Sequence, residues 1–310
     1  MNLDYPQDND EEKNAERLEK LKEGFGVTLC AKQKDGEIIP LEDQIELAEK
    51  MDTSSVQFDF RNRTDEEIDR SAENLIKYRQ EHPDMNLSIH GETPQIEAAT
   101  LKLRNSDRTA KELILVQDLA SESYTVHPPS INSKLFSGLP QETKDEIVGN
   151  YCSIFTEAIE KAVAAKKSFS LAIENMPNKG DEGSWGQTVD DIMLLIRKIE
   201  STLVSKGIDP TTAREYVGAT LDINHALHDT ETENYGDVLK SWFEGLGDYL
   251  KVIHLQAPSS IDRKFTEKCI LSLELAARFN SNARLFMESK RNPETTEEIY
   301  KKSREFMSEI

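Results

Sequence analysis

Six short apolar runs, LSIH, YTVH, LAIE, GATLD, KVIH and LFME, each carry a histidine or a carboxylate at or near the C-terminal end. The ionisable ends are His90, His127, Glu174, Asp222, His254 and Glu288. An ordinary buried strand has no use for such a residue, because an unpaired charge or imidazole in apolar surroundings is costly. Six in series point to one shared site. Two earlier runs, GVTLCAK (26–32) and SVQFDF (55–60), also read as strands and bring the set to eight.

Helical patterns fill the intervals. Thr64 with Glu67 forms a capping box ahead of IDRSAENLIKYRQEH. Pro140 opens a long helical stretch through roughly Ala165, and TVDDIMLLIRKIESTLV (188–204) repeats apolar residues at three- and four-residue steps. A last helix, EIYKKSREFM, follows Pro293. Strand and helix in alternation imply right-handed βαβ units and a parallel sheet. Neither GxGxxG nor a GxxxxGKS or GxxxxGKT loop follows the first strand, which removes the usual nucleotide signals of an open doubly wound sheet. The chain has 310 residues, and a closed barrel needs about 250. The expected fold is therefore α/β, a single-domain (β/α)8 TIM barrel over residues 24–310. Residues 1–23, dense in charge, are expected to form an extension outside the core, flexible or helical.

Strand phase sharpens the expectation. Ser170, Ala172 and Glu174 share one face of their strand, as do Gly218, Thr220 and Asp222 of theirs, while Phe169, Leu171 and Ile173 share the other. Thr125 is in phase with His127, and Ser88 with His90. The small or polar face thus carries the ionisable end. In a barrel that face points inward, so these side chains converge at the C-terminal mouth, where barrel active sites lie. VQFDFR likewise sets Gln57, Asp59 and Arg61 on one face.

Composition narrows the partners. A net charge of -20 disfavours tight, sequence-blind binding to nucleic acid, which relies on Lys and Arg. The acidic N-terminus resembles no signal peptide, and no apolar run approaches the roughly 20 residues of a membrane span, so a soluble, cytoplasmic protein is expected. Cys30, Cys152 and Cys269 fit neither a disulfide framework nor a CxxC knuckle and read as reduced bystanders. Imidazoles and carboxylates converging without cysteine are the ligand set of a divalent ion at a reactive site, with Zn, Mn, Co and Mg all compatible.

LAIENMPNKG, LDINHALHD, KVIHLQA and LFMESK resemble the later strands of the xylose isomerase-like TIM barrels, which join sugar isomerases and epimerases to the endonuclease IV group. The resemblance spans roughly residues 24–305, and its most specific element is the Asp-x-x-His of Asp222 and His225. It implies a metal core of Glu174, Asp222, His254 and Glu288. In the epimerase branch the ion stabilises an enediolate, Glu174 and Glu288 exchange protons with substrate carbon, and His225 contacts the substrate. In the endonuclease IV branch His90, His127 and Glu174 bind a second ion, so one or two ions per chain are implied. That branch completes a third site with an Asp-x-His, where this chain has Asp262-Arg263-Lys264; an ammonium is a donor, not a ligand. HLQAPSS also lacks the Asn-Asp that commonly follows this histidine.

Two further residues are candidates for the substrate: Arg263, for a hydroxyl or phosphate, and Trp185, on the loop NKGDEGSWGQT, for stacking on a sugar face. Three functions follow in order of preference. The first is a sugar or sugar-phosphate isomerase or epimerase acting on a small carbohydrate. The second is a metal-dependent phosphodiester hydrolase of abasic-site DNA, and the third a non-catalytic barrel used for binding.

Overall fold

The computed structural model describes residues 11–30, 36, 38–51, 53–97, 100, 102–256, 263–279, 282–289 and 293–309. Its strands are β1 (Gly26–Leu29), β2 (Ser55–Asp59), β3 (Asn86–His90), β4 (Gln95–Ile96), β5 (Leu103–Arg104), β6 (Ser123–Val126), β7 (Ser170–Glu174), β8 (Val217–Asp222), β9 (Leu250–Gln256) and β10 (Arg284–Ser289). The helices are α1 (Glu11–Glu23), α2 (Leu41–Lys50), α3 (Asp65–Glu81), α4 (Ser106–Asp118), α5 (Ser133–Gly138), α6 (Gln141–Ala164), α7 (Val189–Ser205), α8 (Pro210–Tyr216), α9 (Ile223–Ala226), α10 (Tyr235–Leu246), α11 (Arg263–Phe279) and α12 (Pro293–Glu309).

Eight strands close into a parallel barrel in the order β1, β2, β3, β6, β7, β8, β9, β10, with β10 pairing back onto β1. The β4–β5 pair is a small antiparallel ribbon in the loop after β3, which the sequence reading did not anticipate. Helix starts follow local chemistry. Thr64 and Thr188 each accept from the backbone N–H three residues on, and Glu67 and Asp191 return the bond, so both α3 and α7 open with a complete capping box.

Alternation along the strands sorts the two faces. Leu171, Ile173, Leu221 and Ile253 join the large apolar cluster under the helices, whereas Ala172, Val252 and Phe286 form a separate cluster in phase with Glu174, His254 and Glu288. That inner trio is the barrel's apolar floor. On β9 and β10 the face that carries the ionisable end is therefore bulky, unlike the small or polar faces of β3, β6, β7 and β8. The other inward positions hold buried hydroxyls and one amide: Thr28 donates to Gln57, Gln57 to Thr125, and Ser123 to Ser88.

Residues 11–23 are helical. The reading that set the extension outside the core meets a helix docked on α11, with Leu21 only 3% exposed and Arg17 donating to the Ala277 carbonyl. Burial pushes the Cys152 and Cys269 thiols up to about 12, which keeps both inert as nucleophiles. Among the described residues no helix is long and apolar enough to cross a membrane.

Candidate active site and metal centre

Glu174, the last residue of β7, lies at the centre of the mouth and is ringed by imidazoles. Its Oε2 accepts from His90 Nε2 at 2.8 Å and lies 3.4 Å from His127 Nε2. Its Oε1 lies 3.4 Å from His254 Nδ1 and 3.8 Å from His225 Nδ1. His90 ends β3, His127 follows β6 and His254 sits within β9, so three separate strands aim their rings at one carboxylate. Thr93 Oγ1 bonds His127 Nδ1 at 3.0 Å, which turns Nε2 inward.

The Asp-x-x-His motif is a helix cap. Asp222 ends β8 and caps α9, its Oδ1 accepting the His225 backbone N–H at 2.8 Å, so three-residue spacing folds His225 back over Asp222. Buried Asn175 braces both. Its Oδ1 accepts from Asp222 N at 2.7 Å, its Nδ2 donates to the Asp222 carbonyl at 3.2 Å, and its own carbonyl accepts from His225 Nδ1 at 2.8 Å. That last bond turns Nε2 to the other side, 3.7 Å from Asp222 Oδ2.

Glu288, at the end of β10, is held differently. Arg61 Nη2 donates to its Oε1 at 2.9 Å, and the Cys30 thiol approaches the same oxygen at 3.7 Å. Arg61 is itself anchored by two donors, Nε and Nη2, on the two oxygens of Asp59, each at 2.9 Å. Asp59 and Glu288 are 3% exposed as side chains, against 15% for Arg61.

The electrostatics are those of a buried anionic cup. Burial alone would raise the Glu174 carboxyl, but the surrounding His127, His254 and His90 overcome it and hold it well below the usual carboxylate range. Burial also works against a charged His254; Glu174, Glu288 and Asp222 outweigh it and raise its imidazole. His90 goes the other way, pushed down to about 4 by burial and by Arg61. Burial and Arg61 thus disfavour a charged His90, whose Nε2 bonds Glu174, while the surrounding carboxylates favour a charged His254. Asp222 is raised, first by burial and then by Glu174 and Glu288 against the pull of His225.

Two observations test whether such a cup fits a metal ion. Both ring nitrogens of His254 and Nε2 of His127 are buried without a hydrogen-bond partner, which is uncommon for buried polar atoms. Moreover His90, Glu174 and His254 offer ligand atoms within 4.8 Å of one another, as do Glu174, Asp222 and His225. Imidazole with carboxylate suits a divalent ion, and Glu174 belongs to both triads.

No protein-family model matches the sequence, and no curated protein does. Solved structures do match. A D-psicose 3-epimerase from Clostridium cellulolyticum with D-tagatose has 13% identity, covers 85% of this chain and 84% of its own, and gives a TM-score of 0.56. The IOLI protein with a zinc atom has 12% identity over 91% of this chain and 97% of its own, at 0.56. A xylose isomerase-like TIM barrel protein from Mycobacterium smegmatis with magnesium has 12% identity over 91% and 94%, at 0.52. This chain shares the (β/α)8 barrel fold of these proteins.

Within this barrel the site residues read from sequence are distributed as follows. Glu174, Asp222, His254, His90, His127 and His225 meet at the mouth. Of the expected core of Glu174, Asp222, His254 and Glu288, the first three fall in the two triads, His90 lies beside Glu174 and His254, and Glu288, at the same mouth, pairs with Arg61. Trp185 is packed rather than presented, 4% exposed, stacked on Phe136 with ring centroids 4.3 Å apart and donating to Asp191 at 2.7 Å. Arg263 opens α11, but its side chain, like that of Lys264, lies outside the described residues, as does Asp262. Sequence reasoning missed Asn175 and Thr93, which orient His225 and His127, and placed Arg61 and Asp59 on a face without giving them a task.

Proposed function

We propose that this protein is a divalent-metal-dependent sugar or sugar-phosphate isomerase or epimerase that moves a proton at the carbon beside a carbonyl. The observation that carries the reading is the buried Glu174 among imidazoles, of which His254 and His127 leave three buried nitrogens without a hydrogen-bond partner, with a second buried carboxylate, Glu288, at the same mouth. Sugar epimerases among the structural neighbours support it. His90, Glu174 and His254, with Asp222 and His225 adjoining, would hold the ion. When bound, a divalent ion polarises the substrate carbonyl and acidifies the neighbouring C–H.

The remaining work falls to the chain. Glu174, held low by its imidazoles, stays ionised and fixes the rings. Glu288 takes the substrate proton at a carboxylate oxygen, its charge kept by Arg61, and returns it to the neighbouring carbon in isomerisation, while epimerisation requires Glu174 to deliver a proton to the opposite face. The apolar floor of Ala172, Val252 and Phe286 excludes water from below, which strengthens every polar contact above it. Exchange of substrate C–H for solvent deuterium, followed by NMR across a panel of aldoses, ketoses and their phosphates with Mn, Co, Zn or Mg, tests the reading. Absence of exchange throughout would sink it.

A second reading, phosphodiester hydrolysis at abasic sites, draws on one observation: His90 and His127 both reach the same oxygen of Glu174, as a second ion would require. Two bound ions together with cleavage of abasic duplex DNA would favour it over isomerisation.

A further inference from the structure

We propose that Arg108 and Glu112, a buried ion pair on α4, are positioning residues for the mouth: they clamp the loops that leave β2 and β3 and, through Thr93, set the ring of His127 against Glu174. The inference rests on the reading above only in treating this mouth as the working site.

The pair belongs to an outer helix, apart from the cup itself. The Glu112 side chain is fully buried, and that of Arg108 is 13% exposed. Arg108 Nε donates to Glu112 Oε1 at 2.9 Å, Nη2 donates to the Phe60 carbonyl at 2.7 Å, and Nη1 donates to the Arg63 carbonyl. The guanidinium thus grips the exit of β2 on both sides of Arg61. Glu112 Oε2 turns to the exit of β3, where it accepts the Glu92 backbone N–H at 3.1 Å and the Tyr124 hydroxyl at 2.7 Å. Glu92 closes the circuit, because its Oε2 accepts the Asn62 backbone N–H at 2.9 Å. One base and one acid, four residues apart on a single helix, therefore join two separate loops into one ring of hydrogen bonds.

The imidazole side of the mouth hangs from that ring. His90 precedes Glu92 by two residues, while Thr93 follows it directly and bonds His127 Nδ1 at 3.0 Å. His90 and His127 are the two imidazoles beside Glu174 Oε2. Burial raises the Glu112 carboxyl, against Tyr124, Arg108 and the Glu92 N–H. An ion pair at such depth adds little net stability over an apolar pair of the same shape. What it supplies is direction, since a guanidinium fork and a carboxylate fit their partners in few arrangements.

Imidazole nitrogen NMR of the isotope-labelled, metal-free full chain, with His127 assigned from His127→Gln, tests the assignment without reference to turnover. Glu112→Gln removes the charge and keeps the shape. It is expected to move the His127 Nδ1 signal, leave those of His82 in place, and weaken cobalt(II) binding about tenfold. Thr93→Val breaks the last link, so the shift that Glu112→Gln causes should vanish in the Thr93→Val background. A merely loosened fold would move His127 in both backgrounds, which separates placement from stability. Thermal unfolding reports whether each variant is folded. If Glu112→Gln is not, Tyr124→Phe, which takes one donor from the same Oε2 and keeps the ring, should move the signal in the same sense as Thr93→Val. An unmoved His127 signal or unchanged cobalt affinity in folded Glu112→Gln overturns the inference, as does an unmoved signal in Tyr124→Phe where that variant stands in. So does a shift that persists in full beside Thr93→Val. Neither cobalt binding nor deuterium exchange in the unaltered protein, with His127 moving as described, would sink the proposed function and leave this inference standing.

Discussion

A histidine with no water around it titrates where its neighbours allow, and His90 is the clearest case. Its side chain is fully buried and its folded value is about 4, against 6.5 for an unperturbed imidazole. Below pH 6.5 the unfolded chain takes up a proton that the folded chain refuses, so this residue costs stability progressively from 6.5 down to about 4. The full effect is roughly 3 kcal/mol at most. Asp222, raised from 3.8, acts in the opposite sense as pH falls through its folded value. His254, raised above 6.5, contributes stability that is complete below that pH and is lost above it. The difference between the metal-free protein and His90→Gln isolates the first term: the variant's Tm should fall less steeply with acid in that window, and parallel curves would refute it. The six ionisable strand ends were readable because an inward, period-two face exposes its own last residue. Arg61 was not, because its task depends on Glu288, 227 positions away. Trp185 looked available in a Gly-rich loop, yet Phe136 of α5 covers its ring.

At the scale of elements, local signals and distant ones separate cleanly. The capping box at Thr64 is written in four consecutive residues and appears as expected. Thr64→Ala should cost about 1 kcal/mol of stability in thermal unfolding and leave cobalt affinity unchanged, since α3 starts away from the ion-binding triads. Gly91, directly after His90, gives the contrast. A Cβ there would collide with the phenol of Tyr124, whose hydroxyl donates to buried Glu112 at 2.7 Å. Gly91→Ala should therefore displace the tip of β3, lowering Tm and weakening cobalt binding together; loss of Tm with intact affinity would show that His90 does not move with the tip. Asn175 was illegible for the same reason as Arg61: its partners Asp222 and His225 lie 47 and 50 residues on, and nothing in LAIEN announces them. The docking of α1 on α11 joins segments from opposite ends of the chain, and the dense charge of residues 1–23 concealed it.

For the whole molecule, charge and topology set what can approach. The barrel was legible because eight strands alternate with helices whose starts are marked, and closure then fixes where the strand ends meet. With a net charge of -20, binding to intact duplex DNA should stay undetectable in fluorescence anisotropy at physiological salt, and the protein should not gain affinity as salt is lowered in the manner of a Lys- and Arg-rich surface. Micromolar, salt-sensitive binding would revive the hydrolase reading.

Ala172, Val252 and Phe286 make the barrel a flask with one neck. Under the proposed function, a sugar that enters would leave by the opening through which its successor arrives, so an isomer and its precursor would share a single doorway. Each should therefore exclude the other from the resting enzyme, and the accumulating product should slow the forward reaction by raising the apparent KM while leaving kcat untouched.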